Sequence, residues 1–242
     1  MKIYVVGLGP GEEKQMTPMA MEALEQSQVI IGYTVYIDLI KDRFKHKILK
    51  STAMRQEVDR CKMVLEEALK GQNVSLVCSG DAGVYGMAGL MFEIAKGHNE
   101  IEIEIVPGIT AANSGAAVLG APLIHDFAVI SLSDLLTPYE LIERRLECAA
   151  AGDFVICLYN PSSKKRHDYL KKACDIVMAH KSKYTVCGYV KNIGRPGEVA
   201  KVVTLEELRN TEVDMFTTVY IGNSHTKEIN GKMVTPRGYR GV

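Results

Sequence analysis

Short apolar runs alternate with longer helical patterns along this chain, and that alternation limits the fold more than any other feature. The runs lie at residues 2–6, 28–32, 74–78, 101–106, 127–132, 154–159, 184–190, 199–203 and 217–222. Helix-start chemistry recurs between them. Thr17-Pro18 offers an N-cap and a proline at the first helical position. Thr137-Pro138-Tyr139-Glu140 and Thr204-Leu205-Glu206-Glu207 read as capping boxes. Residues 53–70 and 163–180 repeat apolar positions at helical spacing, with charged faces between. Strands alternating with helices predict an α/β fold with a largely parallel sheet in the first half. Little chain separates 184–190 from 199–203, so antiparallel pairing, and hence a mixed sheet, is expected in the second half. The small-residue stretch 113–121 marks the expected domain boundary, giving domains 1–115 and 116–242.

The loops that follow three of these runs carry the chemistry. Val74-Ser75-Leu76-Val77-Cys78 runs into Ser79-Gly80-Asp81-Ala82-Gly83-Val84-Tyr85-Gly86. Carboxyl ends of strands in open α/β sheets are where ligands bind. The glycines let backbone approach a ligand without Cβ interference, and Asp81 is an acceptor for a hydroxyl or amine. Gly7-Leu8-Gly9-Pro10-Gly11 ends the first run. It begins like a dinucleotide fingerprint, but Glu12 replaces the third glycine and Pro10 removes a donor, so it is a poor NAD site. It also lacks the Gly-Lys-Ser/Thr of a phosphate loop. Pro107-Gly108-Ile109-Thr110-Ala111-Ala112 breaks the chain and opens a helix whose first N–H groups and Thr110 hydroxyl face outward. Three such ends together point to a small-molecule cofactor.

Composition narrows the classes. The 242 residues carry 29 basic and 29 acidic side chains, which argues against a general nucleic-acid partner. No run approaches the roughly 18 apolar residues of a membrane span, and the amino-terminal apolar stretch reads as a first strand rather than a signal core. A cytoplasmic protein without a membrane partner is expected. The cysteines at 61, 78, 148, 157, 174 and 187 show no CxxC spacing, so no metal site is expected and they read as small buried hydrophobes.

In type, order and spacing, the GxGPG loop, the SGD-x-x-x-YG loop and the PGITA turn resemble the tetrapyrrole methylase family. The likeness extends through His125-Asp126-Phe127, Ser131-Leu132-Ser133-Asp134-Leu135-Leu136-Thr137-Pro138, Tyr159-Asn160-Pro161-Ser162-Ser163 with Arg166, and Thr235-Pro236-Arg237-Gly238-Tyr239. These later runs are similar to the branch that methylates C17 of precorrin-3B, or its cobalt counterpart, with contraction of the macrocycle. Ala82 stands where most of the superfamily has proline, as is usual in that branch. The resemblance implies a two-domain fold with a cofactor cleft between the domains, S-adenosyl-L-methionine as cofactor with S-adenosyl-L-homocysteine as product, a tetrapyrrole partner, and a homodimer.

Carried over by position, the cofactor contacts are Gly9, Pro10, Ser79, Gly80, Asp81, Val84, Thr110, Ala111, Asn160 and a backbone group near Val190; Tyr85 joins them by adjacency to Val84. Methyl transfer from a sulfonium is an in-line displacement in which the protein mainly holds donor and acceptor. No nucleophile motif is therefore expected. The substrate's carboxylates call for basic side chains, and Arg166 and Arg237 are the candidates; Arg144, Arg145, Lys164 and Lys165 read as solvated faces. Ring contraction needs proton transfers, for which His125, Asp126 and Asp134 are candidates. Other readings are a relative acting on ribosomal RNA or on a protein, a non-catalytic corrinoid-binding module, and a nucleotide-dependent oxidoreductase. The neutral charge and branch-specific runs, the intact cofactor loops, and Pro10 with Glu12 count against these in turn.

Overall fold

A computed structural model describes residues 1–163 and 167–241. The expected substrate arginine Arg166 lies outside the described residues, with Lys164, Lys165 and Val242. The chain divides into two compact units, Met1–Ala111 and Ala112–Val242.

In the first unit, β1 (Lys2–Gly7), α1 (Pro18–Gln26), β2 (Val29–Tyr33), α2 (Thr34–Ile40), β3 (Ile48–Thr52), α3 (Glu57–Leu69), β4 (Val74–Cys78), α4 (Ala88–Ile94) and β5 (Glu102–Val106) follow one another. The strands form one sheet in the order β3-β2-β4-β1-β5, every pair parallel. Helices cover both faces, which is why the β1, β2 and β4 runs are buried and largely apolar, whereas the edge strand β5, Glu102-Ile103-Glu104-Ile105-Val106, alternates. Ala20, Leu24, Ile37 and Ile40 of α1 and α2 pack with Tyr4, Val6, Ile30 and Val77. Cys61, Val64 and Met91 of α3 and α4 pack with Ile3, Val5, Ile31 and Leu76. The neighbouring strands β1 and β4 are thus followed by helices on opposite faces. Their carboxyl ends form the switch point at which open α/β sheets bind ligands. Thr17 caps α1 as its sequence implies, accepting the Ala20 amide at 3.1 Å. The edge strand β3 is not among the apolar runs, because Ile-Leu-Lys-Ser-Thr is half exposed and carries polar residues.

The second unit contains α5 (Ala111–Leu119, from its second residue), β6 (Gly120–Ala121), β7 (Phe127–Ser131), α6 (Tyr139–Ala151), β8 (Val155–Tyr159), α7 (Tyr169–Met178), β9 (Val186–Lys191), β10 (Val199–Thr204), α8 (Leu205–Arg209), β11 (Thr217–Ile221), β12 (Lys227–Ile229) and β13 (Lys232–Val234). Its main sheet, β10-β9-β11-β8-β7, is mixed: β7 and β8 are parallel and the other pairs antiparallel. A small sheet joins β12, β13 and β6. Leu146, Cys174, Val177 and Leu208 of α6, α7 and α8 pack with Ile156, Leu158, Val219 and Ile221. The small residues of 113–121 are mostly helix: a Cβ on Gly115 would lie 2.4 Å from the Tyr220 hydroxyl, which donates to the Ala112 carbonyl at 2.8 Å.

Thr204 closes a complete capping box with Glu207. The box expected at Thr137 does not form. Pro138 has an extended ψ of 138°, so it is the cap rather than the first helical residue, and Glu140 stands one position too early to reach back. Five cysteines are buried, and burial pushes the Cys78 thiol up to about 11; Cys148 is exposed. Among the described residues no cluster of His, Cys, Asp and Glu could hold a metal, and no helix is long and apolar enough to cross a membrane.

An acid-sensitive clamp closes the second unit. The Lys181 side chain is 4% exposed and lies 3.0 Å from Asp153 Oδ1, while Asp153 also accepts the Ser224 amide at 2.9 Å and its hydroxyl at 2.6 Å. Burial alone would raise the Asp153 carboxyl, but Ser224 and Lys181 outweigh it and hold it below the usual carboxylate range. A carboxylate depressed by folding contributes stability that is complete above its unfolded pKa, about 4, and is lost as pH falls through the folded value. Asp153→Asn should cost about 1–2 kcal/mol at neutral pH, a modest figure because Asp153 is half exposed. The deficit should shrink in acid. Urea titrations at pH 7 and pH 3 check this, and an equal deficit at both would reject the clamp.

Candidate functional site

The carboxyl ends of β1, β4 and β5 meet backbone to backbone. Gly9 and Gly80 exchange amide-to-carbonyl hydrogen bonds of 3.0 and 2.7 Å. A Cβ on Gly108 would stand 2.1 Å from the Gly80 carbonyl oxygen and 2.6 Å from that of Gly7. Glycine is required here by close approach, not by φ alone. Asp81 fastens the group: Oδ1 accepts the Gly83 and Val84 amides at 2.7 and 3.0 Å, and Oδ2 accepts the Gly108 amide at 2.9 Å. The expected ligand acceptor therefore ties the β4 loop to the β5 loop.

Gly80, Thr110 and Ala111 come together, since a Cβ on Gly80 would lie 3.6 Å from both Thr110 Cα and Ala111 N, and Ser79 directly precedes Gly80. Buried Pro10 follows Gly9. Tyr85 holds φ at +54°, a conformation costly for a bulky residue, and is 58% exposed next to exposed Val84; Ile109 of the β5 loop is exposed too. Strain of this kind clusters at ligand sites. Residues 7–11, 79–86 and 107–111 contain no Lys or Arg. The surface thus offers apolar side chains, backbone groups and a carboxylate, with no counter-charge for a pyrophosphate. That donor set fits an adenosyl sulfonium.

Behind the β4 loop sits Arg60, a residue the sequence reading missed. It is 2% exposed, yet its hydrogen bonds go to neutral groups: Nε to Thr52 Oγ1 at 2.8 Å, one terminal nitrogen to the Ala53 carbonyl at 2.9 Å and the other to Met87 Sδ at 3.3 Å. Its guanidinium also lies 5.9 Å from the Tyr33 ring centroid. It braces the ends of β2, β3 and the β4 loop.

In the second unit, one end of the main sheet collects the remaining candidates. Asn160 ends β8 with φ +53°, and its amide nitrogen donates to Ser131 Oγ at the end of β7, 2.9 Å away. Val190 is buried in the interior of β9, paired on either side with Ala200 and Thr218. Asp134 lies beyond β7, where the Tyr169 hydroxyl donates to its Oδ2 at 2.8 Å. The Tyr169 ring stacks 4.6 Å from Tyr139, and Lys172 lies over both rings while pairing with Asp168 at 2.8 Å. The Tyr139 hydroxyl is buried with no hydrogen-bond partner among the described residues; burial, ahead of nearby acidic groups, pushes it up to about 12, so it remains a neutral donor.

His125 and Asp126 do not join Asp134. They precede β7 whereas Asp134 follows it, and the intervening five-residue strand is about 16 Å long. Both are exposed and engaged with each other, the Asp126 amide donating to His125 Nδ1 at 3.0 Å. Arg237 is exposed in the segment after β13, and Arg144 and Arg145 are exposed on α6. The register places Lys191, Asn192 and Arg195 at the same end as Asn160. Lys191 pairs with Asp214 at 2.7 Å and Arg195 lies over Phe216. The run Asn192-Ile193-Gly194-Arg195-Pro196-Gly197 between two apolar runs is the signal that could have flagged this hairpin.

Residues 2–209 match the family described as Tetrapyrrole (Corrin/Porphyrin) Methylases. The chain is 45% identical over 238 residues to a probable cobalt-factor III C(17)-methyltransferase of Salmonella typhimurium, covering 98% of this chain and 99% of that protein. It is 42% identical to a precorrin-3B C(17)-methyltransferase of a Sinorhizobium species, covering 99% and 98%. Two other relatives are longer, and the chain spans 45% and 53% of them. Among solved structures, the crystal structure of the methyltransferase CobJ superposes with a TM-score of 0.90 at 38% identity, covering 97% of this chain and 99% of that one.

Proposed function

The chain belongs to the tetrapyrrole (corrin/porphyrin) methylases, and from that membership we propose that it methylates C17 of precorrin-3B or its cobalt counterpart, with contraction of the macrocycle, in cobalamin biosynthesis. The observation that carries this reading is near-complete coverage, in both directions, by relatives bearing both forms of that name. S-adenosyl-L-methionine supplies an electrophilic methyl group when bound. The residues for it are Gly9, Pro10, Ser79, Gly80, Val84, Tyr85, Thr110 and Ala111, with Asp81 and Arg60 holding their loops. Asn160 and the backbone by Val190 belong to the same role in the second unit.

The electron-rich carbon of the macrocycle is its own nucleophile, so the protein's task is orientation and exclusion of water. Asp134, held by Tyr169, is the group that takes up or releases a proton during contraction; His125 and Asp126 have no part in that step. Arg166, Arg237 and Arg195 are the cations assigned to the substrate carboxylates. The protein works as a homodimer in the cytoplasm, which sedimentation and cell fractionation test.

Incubation with methyl-labelled S-adenosyl-L-methionine and either the metal-free or the cobalt-loaded trimethylated intermediate decides the reaction. Label should pass to one of the two, with S-adenosyl-L-homocysteine released. Failure with both, under conditions where both bind, would sink the reading.

A further inference from the structure

Leu136 is 99% exposed, the most exposed large apolar side chain among the described residues, and its neighbour Leu135 is 59% exposed. Single exposed leucines are ordinary, but an adjacent pair at one loop tip is not. The loop that displays them is fastened on both sides. Leu132 is fully buried, the Ser133 amide donates to Ser131 Oγ at 3.2 Å, and Tyr169 holds Asp134 at 2.8 Å. Beyond them, Pro138 caps α6. The leucines are therefore presented to solvent on a pinned turn.

We propose that Leu135 and Leu136 form an apolar contact for one face of the tetrapyrrole macrocycle. The assignment rests on the function proposed above and adds a substrate contact to it. A tetrapyrrole has flat apolar faces and a carboxylate-bearing rim, so its site must pair an apolar surface with cations set some distance away. This end of the second unit has both. The leucines lie beyond β7, and Arg195 lies beyond β9, three strand spacings or about 14 Å across the sheet. That span is comparable to the width of the macrocycle. Asp134 adjoins the leucines in sequence, and Ser131 and Asn160, bonded to each other, lie at the same ends of β7 and β8.

Leu136→Ser and the double variant Leu135→Ser/Leu136→Ser test the assignment. A side chain this exposed can change without disturbing the core, so melting temperature and S-adenosyl-L-homocysteine affinity should match wild type. The trimethylated intermediate, followed by its absorption band, should bind about tenfold more weakly to the single variant and about a hundredfold more weakly to the double. Wild type that binds the intermediate, with both variants equal to it, would overturn the inference alone. A changed sedimentation coefficient with unchanged corrinoid affinity would also overturn it, showing that a second copy covers the pair. Wild type that binds neither form of the intermediate would overturn the functional reading and this inference with it.

Discussion

Gly108→Ala should drive the three strand ends of the first unit apart. The new methyl group would lie 2.1 Å from the Gly80 carbonyl oxygen and 2.6 Å from that of Gly7, and both are backbone atoms that no rotamer change can move aside. Relief requires the β5 loop to withdraw. That withdrawal strains the Gly9–Gly80 pair and pulls the Gly108 amide from Asp81. Overpacking of this kind costs about 1–3 kcal/mol, and the lost hydrogen bonds bring the expected total to about 3 kcal/mol or more. Titration calorimetry with S-adenosyl-L-homocysteine should show at least a hundredfold loss of affinity, because all three loops shift together. Gly71→Ala is the control: its Cβ meets nothing, and only its φ of +93° is strained. It should lose some stability and no cofactor affinity. A Gly108→Ala protein that binds the cofactor like wild type would show that the strand ends do not form the site.

Asp81→Ala should have the second-largest effect. Three backbone amides converge on this carboxylate, two within its own loop and one from the β5 loop. Hydrogen bonds to a charged acceptor are worth about 1.5–3 kcal/mol each when buried, but water can replace part of this at a half-exposed site. The expected cost is about 2–3 kcal/mol, with cofactor affinity falling through disorder of the Val84–Tyr85 segment. Asp81→Asn separates the contributions. Its remaining oxygen can still accept Gly83 and Val84, but its amide nitrogen cannot accept Gly108. Melting temperature and cofactor affinity should fall between wild type and Asp81→Ala. An Asp81→Ala protein that melts with wild type would remove the fastening role.

Much of the first unit is legible in the chain itself. Its strands are buried on both faces, so Lys2–Gly7, Val29–Tyr33 and Val74–Cys78 read as unbroken apolar runs. The caps at Thr17 and Thr204 are legible because a cap involves groups three residues apart. Local signals that agree can still mislead. At Thr137-Pro138 the cap signal and the first-position proline signal pointed the same way, but the chain enters α6 one residue later. The edge strand β3 escaped because an edge need not be apolar.

The candidate site divides along the same line. Sequence alone determined what chemistry the loops after β1, β4 and β5 can offer, because glycine, proline and charge express themselves within a few residues. It could not assign the carboxylates. His125, Asp126 and Asp134 lie within ten positions of one another, yet a five-residue strand carries the first two to one end of the sheet and leaves the third at the other. Asp81 looked free for a ligand until the β5 loop, 27 residues on, brought the Gly108 amide to it. Tyr169, 35 residues from Asp134, had no signal of its own. Contacts between residues distant in sequence depend on strand order and register, which the whole sheet sets, so only the tertiary structure decided which polar groups hold the scaffold.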